Sequence, residues 1–313
     1  KDMKVDKSKW NNALIKDSIK TLKVKDAIQK KDYLLTGKYP IISQEKDFIS
    51  GYCNTEDNLN ENFGEVVIFG DHTRIVKYVD FDFCIGADGV KVLLPINKLS
   101  SKYLYYFIKW SNIPGNGYSR HFKFLRDVRI QYPEDKSIQQ KITVELDAVQ
   151  EIIDGYKAQL ADLDALAQSI FLDTFGDVAI NNKSWDIIPM GQLGDFKNGL
   201  NYNKGEKGKT LKIIGVGDFQ NLKAITLFDN IPSIEVESIS QEYLLQNEDI
   251  VFVRSNGNKN LVGRCLEVYP NKEEVTFSGF CIRFRKSTDI VNKYLVALLT
   301  DTGFKKTHIL KSN

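Results

Sequence analysis

Asp71 and His72, side by side in Phe69-Gly70-Asp71-His72-Thr73-Arg74, are the residues whose types could most directly do chemistry. A carboxylate next to an imidazole suits general acid–base work. No Ser or Cys nucleophile motif lies near them, so a structural or nucleic-acid-contacting role is the better reading. Asn203–Thr210 nearly spells the phosphate-loop pattern GxxxxGK[ST], but Asn203 stands at the first glycine position. The preceding Lys197–Tyr202 is not the apolar strand such a loop follows, so a flexible basic loop is expected. Gly215-Val216-Gly217 lacks the third glycine of a dinucleotide fingerprint.

Other catalytic patterns fail in the same way. Asn112-Ile113-Pro114-Gly115 only faintly echoes the Asn-Pro-Pro-aromatic loop with which amino-methyltransferases hold a base. Pro133-Glu134-Asp135-Lys136 is too compact for a nuclease site, which draws its carboxylates and lysine from two strands. Cys53, Cys84, Cys265 and Cys281 form no CxxC pair, and the histidines are His72, His121 and His308. Buried reduced thiols are expected rather than a zinc centre, and no metal site is assigned. The chain reads as non-catalytic by itself, with no cofactor of its own.

The elements that must position these residues follow from pattern. Ser137–Phe175 contains no proline and one glycine, Gly155. Its apolar positions Ile142, Leu146, Val149, Ile153, Tyr156, Leu160, Leu163, Ala167 and Ile170 step alternately by four and three, as in a coiled-coil seam. With Pro133 ahead and Gly176 as C-cap, the spacing predicts a single helix about 58 Å long. Elsewhere, short β-branched and aromatic runs predict strands at 65–69, 89–94, 211–214, 249–254 and 279–284. Helices are expected around 102–108 and 293–299.

Those two helices reveal a repeat. A shift of 191 residues lays Tyr103-Leu104 on Tyr294-Leu295, and Trp10 and Trp185 each open a half. Two domains, 1–132 and 178–313, are therefore expected on either side of a helical spacer, 133–177. The fold class is α+β: two similar β-rich domains joined by a long coiled-coil-type helix. The second half reaches Asn313 before a counterpart of the long helix, so the chain is expected to be about one helix short of a full duplication. Charge follows the same division. Residues 1–132 hold 22 Lys and Arg against 16 Asp and Glu, the spacer 3 against 10, and the last part 18 against 15. An anionic partner would meet the lobes and avoid the rod. No apolar run is long enough for a transmembrane helix, no secretory pattern opens the chain, and a cytoplasmic location is expected.

Specific phrases tie this pattern to a family. Thr36–Ile42, Phe48–Tyr52, Phe69–Thr73 and Gly86–Val90 in the first half resemble one variety of target-recognition domain in the DNA-specificity subunit of type I restriction–modification enzymes. Trp185, Leu193–Phe196, Asn198-Gly199 and Asn247–Val251 match more loosely. Tyr132-Pro133 through Ile138-Gln139-Gln140-Lys141-Ile142 resembles the start of that family's conserved helix. The resemblance implies that each domain reads one half of a bipartite double-stranded DNA target. It implies a helix that sets the spacing and docks methyltransferase subunits, with a restriction subunit as a further partner. S-adenosylmethionine, and ATP with magnesium, are then expected on partner subunits.

DNA contacts expected in the first domain are His72, Arg74, Lys77, Arg120, His121, Lys123 and Arg126; the alternative for 117–123 is a solvated surface loop. In the second domain Lys204, Lys207 and Lys209 suit phosphates, whereas Arg254, Ser255, Asn256, Asn258 and Lys259 suit base edges. The missing second helix leaves the seam residues Ile142–Ile170 expected to need another chain, self-association being one route. Rival readings are a protein-interaction scaffold of another DNA-modification or defence complex, and a stand-alone DNA-modifying enzyme.

Overall fold

A computed structural model describes residues 7, 10–86, 89–114, 119–202, 205, 207–219, 223–257 and 261–309. It divides into two compact units, Lys1–Ala158 and Gln159–Asn313. In the first, β1 (Asn11–Leu14) pairs with β10 (Arg129–Tyr132). One four-stranded sheet has the order β2 (Ile19–Thr21), β9 (Val90–Pro95), β6 (Val66–Gly70), β7 (Val76–Val79). A second runs β4 (Gly51–Cys53), β3 (Tyr39–Ile42), β8 (Phe83–Ile85), β5 (Leu59–Asn60), with β3 and β8 parallel.

The central strand β6 shows why this arrangement forms. Val66, Val67, Ile68 and Phe69 are all buried, yet they serve two cores. Val67 and Phe69 join Leu93, Leu104 and Ile108, beneath the Ser101–Trp110 helix. Val66 and Ile68 join Ile42, Phe83 and Ile85 on the other face. A strand covered on both sides reads as an unbroken apolar run instead of an alternating one, which is what the sequence contains at 66–69.

The second unit repeats the plan. One sheet runs β11 (Gly194–Asn198), β18 (Cys281–Lys286), β15 (Asp249–Val253), β16 (Cys265–Val268), β13 (Ala224–Ile225); the other runs β14 (Ser233–Val236), β12 (Lys209–Ile214), β17 (Val275–Phe277). Here β15 is the two-faced strand. Ile250 packs with Leu295 and Leu299 of the Asn292–Thr300 helix, and Val251 and Val253 pack with Ile214, Val275 and Phe277. The order β2-β9-β6-β7 thus corresponds to β11-β18-β15-β16, and the parallel pair β3–β8 to β12–β17. The expected strands and helices are all present, shifted at their ends by one or two residues. The 191-residue offset holds from β9 to β18 and between the two helix starts.

The long helix spans Lys136–Phe175. Asp135 Oδ1 accepts the Ser137 N–H at 2.8 Å, and these hydrogen bonds hold the Asp135 carboxyl below its usual range. Gly176, at φ +78°, stops the helix and donates its N–H to the Leu172 carbonyl at 2.8 Å. Its first turns belong to the first unit. Gln139 is fully buried; its amide donates to the carbonyls of Lys98 (3.0 Å) and Pro133 (2.6 Å) and accepts from Ser100 N (2.8 Å). Tyr106 donates to Asp147 Oδ1 at 2.6 Å, and Lys102 pairs with Asp147 Oδ2.

One expectation is corrected: Ile142 does not need another chain, because it packs against the first unit's core. Leu146 and Ile153 are half-buried, while Val149, Tyr156, Leu160, Leu163 and Ile170 are exposed. In the second unit Phe171 stacks on Tyr294 and Phe175 packs tilted against it, with centroids 6.0 and 4.8 Å away. Among the described residues no helix is long and apolar enough to cross a membrane. All four cysteines are buried free thiols, and burial pushes Cys84 and Cys265 up to about 12.

Gln139→Leu leaves the Ser100 N–H and two carbonyls without their partner, and a buried unsatisfied group costs about 1–3 kcal/mol. The variant is expected to lose about 2–4 kcal/mol by denaturant unfolding; unchanged stability would mean that the amide does not anchor the helix start.

Candidate nucleic-acid interface

The turn between β6 and β7 is built around Asp71. Its side chain is buried and accepts the Phe122 N–H on Oδ1 at 2.8 Å. Its carbonyl accepts the His121 N–H at 2.7 Å and lies 3.0 Å from His121 Nδ1. Its own N–H donates to the Gly89 carbonyl at 2.7 Å. One residue therefore fastens three chain segments: the strand end, the loop before β9 and the start of the Phe122–Arg126 helix. Gln44, following β3, supplies a fourth. Its side-chain oxygen accepts the His72 N–H at 3.2 Å, and its carbonyl accepts Thr73 Oγ1 at 2.8 Å. Gly89 lies at φ +87°, where a Cβ would come within 2.8 Å of the His72 ring and 3.0 Å of the Gln44 amide. A side chain there would be strained and would push the turn apart.

Around this knot lie cations. Arg74, itself at φ 60°, donates Nη1 to the Ile113 carbonyl at 3.0 Å. Lys91 Nζ lies 6.0 Å from the Phe122 ring, and Arg120, Lys123 and Arg126 are exposed. Among the described residues none of these five cations forms an ion pair. Sequence reasoning missed Gln44 and Lys91. The one carries no motif, and the other becomes relevant only once β9 is known to begin beside the turn.

Two expected contacts are corrected by burial. The Lys77 side chain is enclosed, with Nζ donating to the carbonyls of Asp47 (2.5 Å) and Phe48 (3.2 Å), and burial pushes it down to about 8. It alternates inward along β7 and holds the 47–48 loop, so it does not reach a phosphate. His121 is 2% exposed and locked to Asp71, which makes it a structural residue at the helix start. Within 119–123, Phe122 opens a short helix and packs 6.2 Å from Phe69, while residues 117 and 118 lie outside the described residues.

In the second unit, Arg254, Ser255 and Asn256 are exposed on the connection from β15 to β16. That connection is the topological counterpart of the His72–Arg74 turn, so the two sets of residues picked from sequence occupy the same place in the repeat. Arg254 Nη1 donates to Asn198 Oδ1 at 3.3 Å, and its backbone N–H donates to the Phe280 carbonyl at 2.8 Å. Lys207 is exposed. Lys209 lies on β12 and pairs with Glu274 at 2.5 Å, both side chains nearly half exposed. A strand starts at Lys209 where a phosphate loop would need a helix. Lys204, Asn258 and Lys259 lie outside the described residues.

The two units are copies of one β-module, with exposed Arg74 and Arg254 on equivalent connections. The chain belongs to the type I restriction modification DNA specificity domain family, whose model matches residues 7–164. The StySPI type I restriction enzyme specificity subunit of Salmonella potsdam is 29% identical over 185 residues, covering 55% of this chain and 39% of that protein. The EcoR124I/EcoR124II specificity subunit of Escherichia coli is 34% identical over 84 residues, 26% of this chain and 21% of that one. The chain thus aligns with about two fifths or less of these curated relatives. The crystal structure of a type I restriction–modification S subunit from M. genitalium aligns over 97% of this chain and 80% of its own, at 17% identity and a TM-score of 0.49.

Asp71→Ala removes the acceptor for the Phe122 N–H and is expected to cost about 1–3 kcal/mol. Hydrogen exchange at Phe122 should quicken while exchange within β9 stays slow; an unchanged Phe122 rate would remove Asp71 as the clamp.

Proposed function

We propose that this chain is the DNA-reading specificity subunit of a type I restriction–modification complex, each lobe reading one half of a bipartite double-stranded target. The observation that carries this reading is the repeat itself. The same connection of each module, β6–β7 and β15–β16, presents the candidate base-contacting residues, and two equivalent readers suit a target in two parts. In the first lobe Arg74 and Arg120 are the leading contacts, with His72, Lys91, Lys123 and Arg126 around them. In the second lobe Arg254, Ser255 and Asn256 address base edges and Lys207 addresses phosphate. Arginine and asparagine suit guanine and adenine edges because their forked donors and acceptors match two groups at once, while lysine on phosphate supplies affinity without sequence preference.

The long helix sets the distance between half-sites and docks methyltransferase subunits. Its exposed apolar positions Val149, Tyr156, Leu160, Leu163 and Ile170 support a protein partner there, which can be a second copy of the chain. The chemistry falls to partners: S-adenosylmethionine on methyltransferase subunits, and ATP with magnesium on a restriction subunit, in the cytoplasm. On this reading the chain itself is not an enzyme.

Binding to a duplex selected from a random pool by the chain with its methyltransferase partner tests the residue roles. Arg254→Ala should weaken the selected duplex about tenfold or more and a scrambled one far less, the loss expected for a bidentate base contact. Lys207→Ala should weaken both alike and flatten the salt dependence. Equal losses with Arg254→Ala on both duplexes would demote it to a phosphate or structural role.

A further inference from the structure

Phe280 is 62% exposed, although a phenyl ring gains by leaving water. It stands third in the turn Ser278–Cys281, closed by the Cys281 N–H donating to the Ser278 carbonyl at 2.8 Å. The backbone around it is pinned from a second segment. Gly279 N–H donates to the Leu200 carbonyl at 2.8 Å, and Gly199 N–H donates to the Cys281 carbonyl at 3.0 Å. The Phe280 carbonyl in turn accepts the N–H groups of Arg254 (2.8 Å) and Ser255 (3.4 Å). The turn and the start of the β15–β16 connection are therefore one hydrogen-bonded piece, and the backbone that carries the ring is tied to that of Arg254. A lone surface phenylalanine needs no explanation; this one is carried on backbone bonded directly to the candidate reading residues.

The surroundings narrow what the ring meets. Asn198, Arg254, Ser255 and Asn256 are polar side chains suited to base edges, and the apolar group available beside such edges in the major groove is the C5-methyl of thymine. We propose that Phe280 is a specificity-determining residue of the second lobe, its ring packing on the methyl of a thymine next to the base pair that Arg254 addresses. This rests on the DNA-reading function proposed above. The contact gives the lobe a preference that hydrogen bonds from Arg254 and Asn256 do not supply.

The test uses the full chain with its methyltransferase partner and the duplex it selects from a random pool, with each thymine replaced in turn by uracil. Uracil lacks only the methyl. One replacement, within one half-site, should weaken binding about fourfold, the worth of one methyl taken out of apolar contact. Phe280→Ala should bind the thymine and uracil duplexes equally at that position, and Phe280→Leu should restore part of the difference. Both variants should unfold at the wild-type temperature, since the ring is exposed. Wild-type indifference to every uracil replacement, or full discrimination retained by Phe280→Ala, overturns the methyl contact and leaves the DNA-reading function standing. Phe280-dependent brightening of 2-aminopurine at that step, the sign of an unstacking wedge, also overturns it. Selection of no sequence at all removes both.

Discussion

A strand buried on both faces is the constraint on which each lobe depends. Val66–Phe69 in the first lobe and Ile250–Val253 in the second send alternate side chains into two cores, one beneath a helix and one against a second sheet. A register slip of one residue would exchange the two sets, sending Val67 and Phe69 where Val66 and Ile68 belong. The strand is therefore fixed along its length, and so is the connection that leaves its end. In the first lobe Asp71 extends that rigidity by one residue, holding the loop before β9 and the Phe122 helix to the strand end. In the second lobe the Phe280 carbonyl does comparable work on Arg254 and Ser255.

This division of labour explains which parts of the molecule the sequence makes legible. Apolar runs, the heptad spacing and the 191-residue offset encode burial, and burial is a local pattern, so the strands, the long helix and the repeat can be read directly. Lys77 and His121 show where such reading stops. A basic residue near a distinctive motif looks exposed until the pleat and the fold turn it inward, where Lys77 holds two carbonyls and His121 clasps Asp71. Gln44 and Lys91 illustrate the opposite case. Each acquires significance from segments far away in the chain, and nothing in its immediate neighbours signals that.

The Asp71-His72 pair has the composition of an acid–base site and the geometry of a clamp. Its carboxylate is spent on a backbone amide, and the His72 amide on Gln44. A recognition surface has reason to be built this way, because side chains that discriminate bases gain most when their backbone is already fixed. The long helix follows a different rule at its two ends than in its middle. Gln139 and Ile142 fasten it to the first core, and Phe171 and Phe175 pack against Tyr294 in the second. Tyr156, Leu160 and Leu163 between them remain exposed, as a surface kept for protein partners would be.

The central claim is that two equivalent modules read two separate stretches of one DNA site. Expressing the chain with its methyltransferase partner in an unmodified host, and mapping every newly methylated base in the genome, tests it directly. The account predicts one motif made of two short specified blocks separated by an unspecified gap of constant length. A single contiguous motif would contradict it.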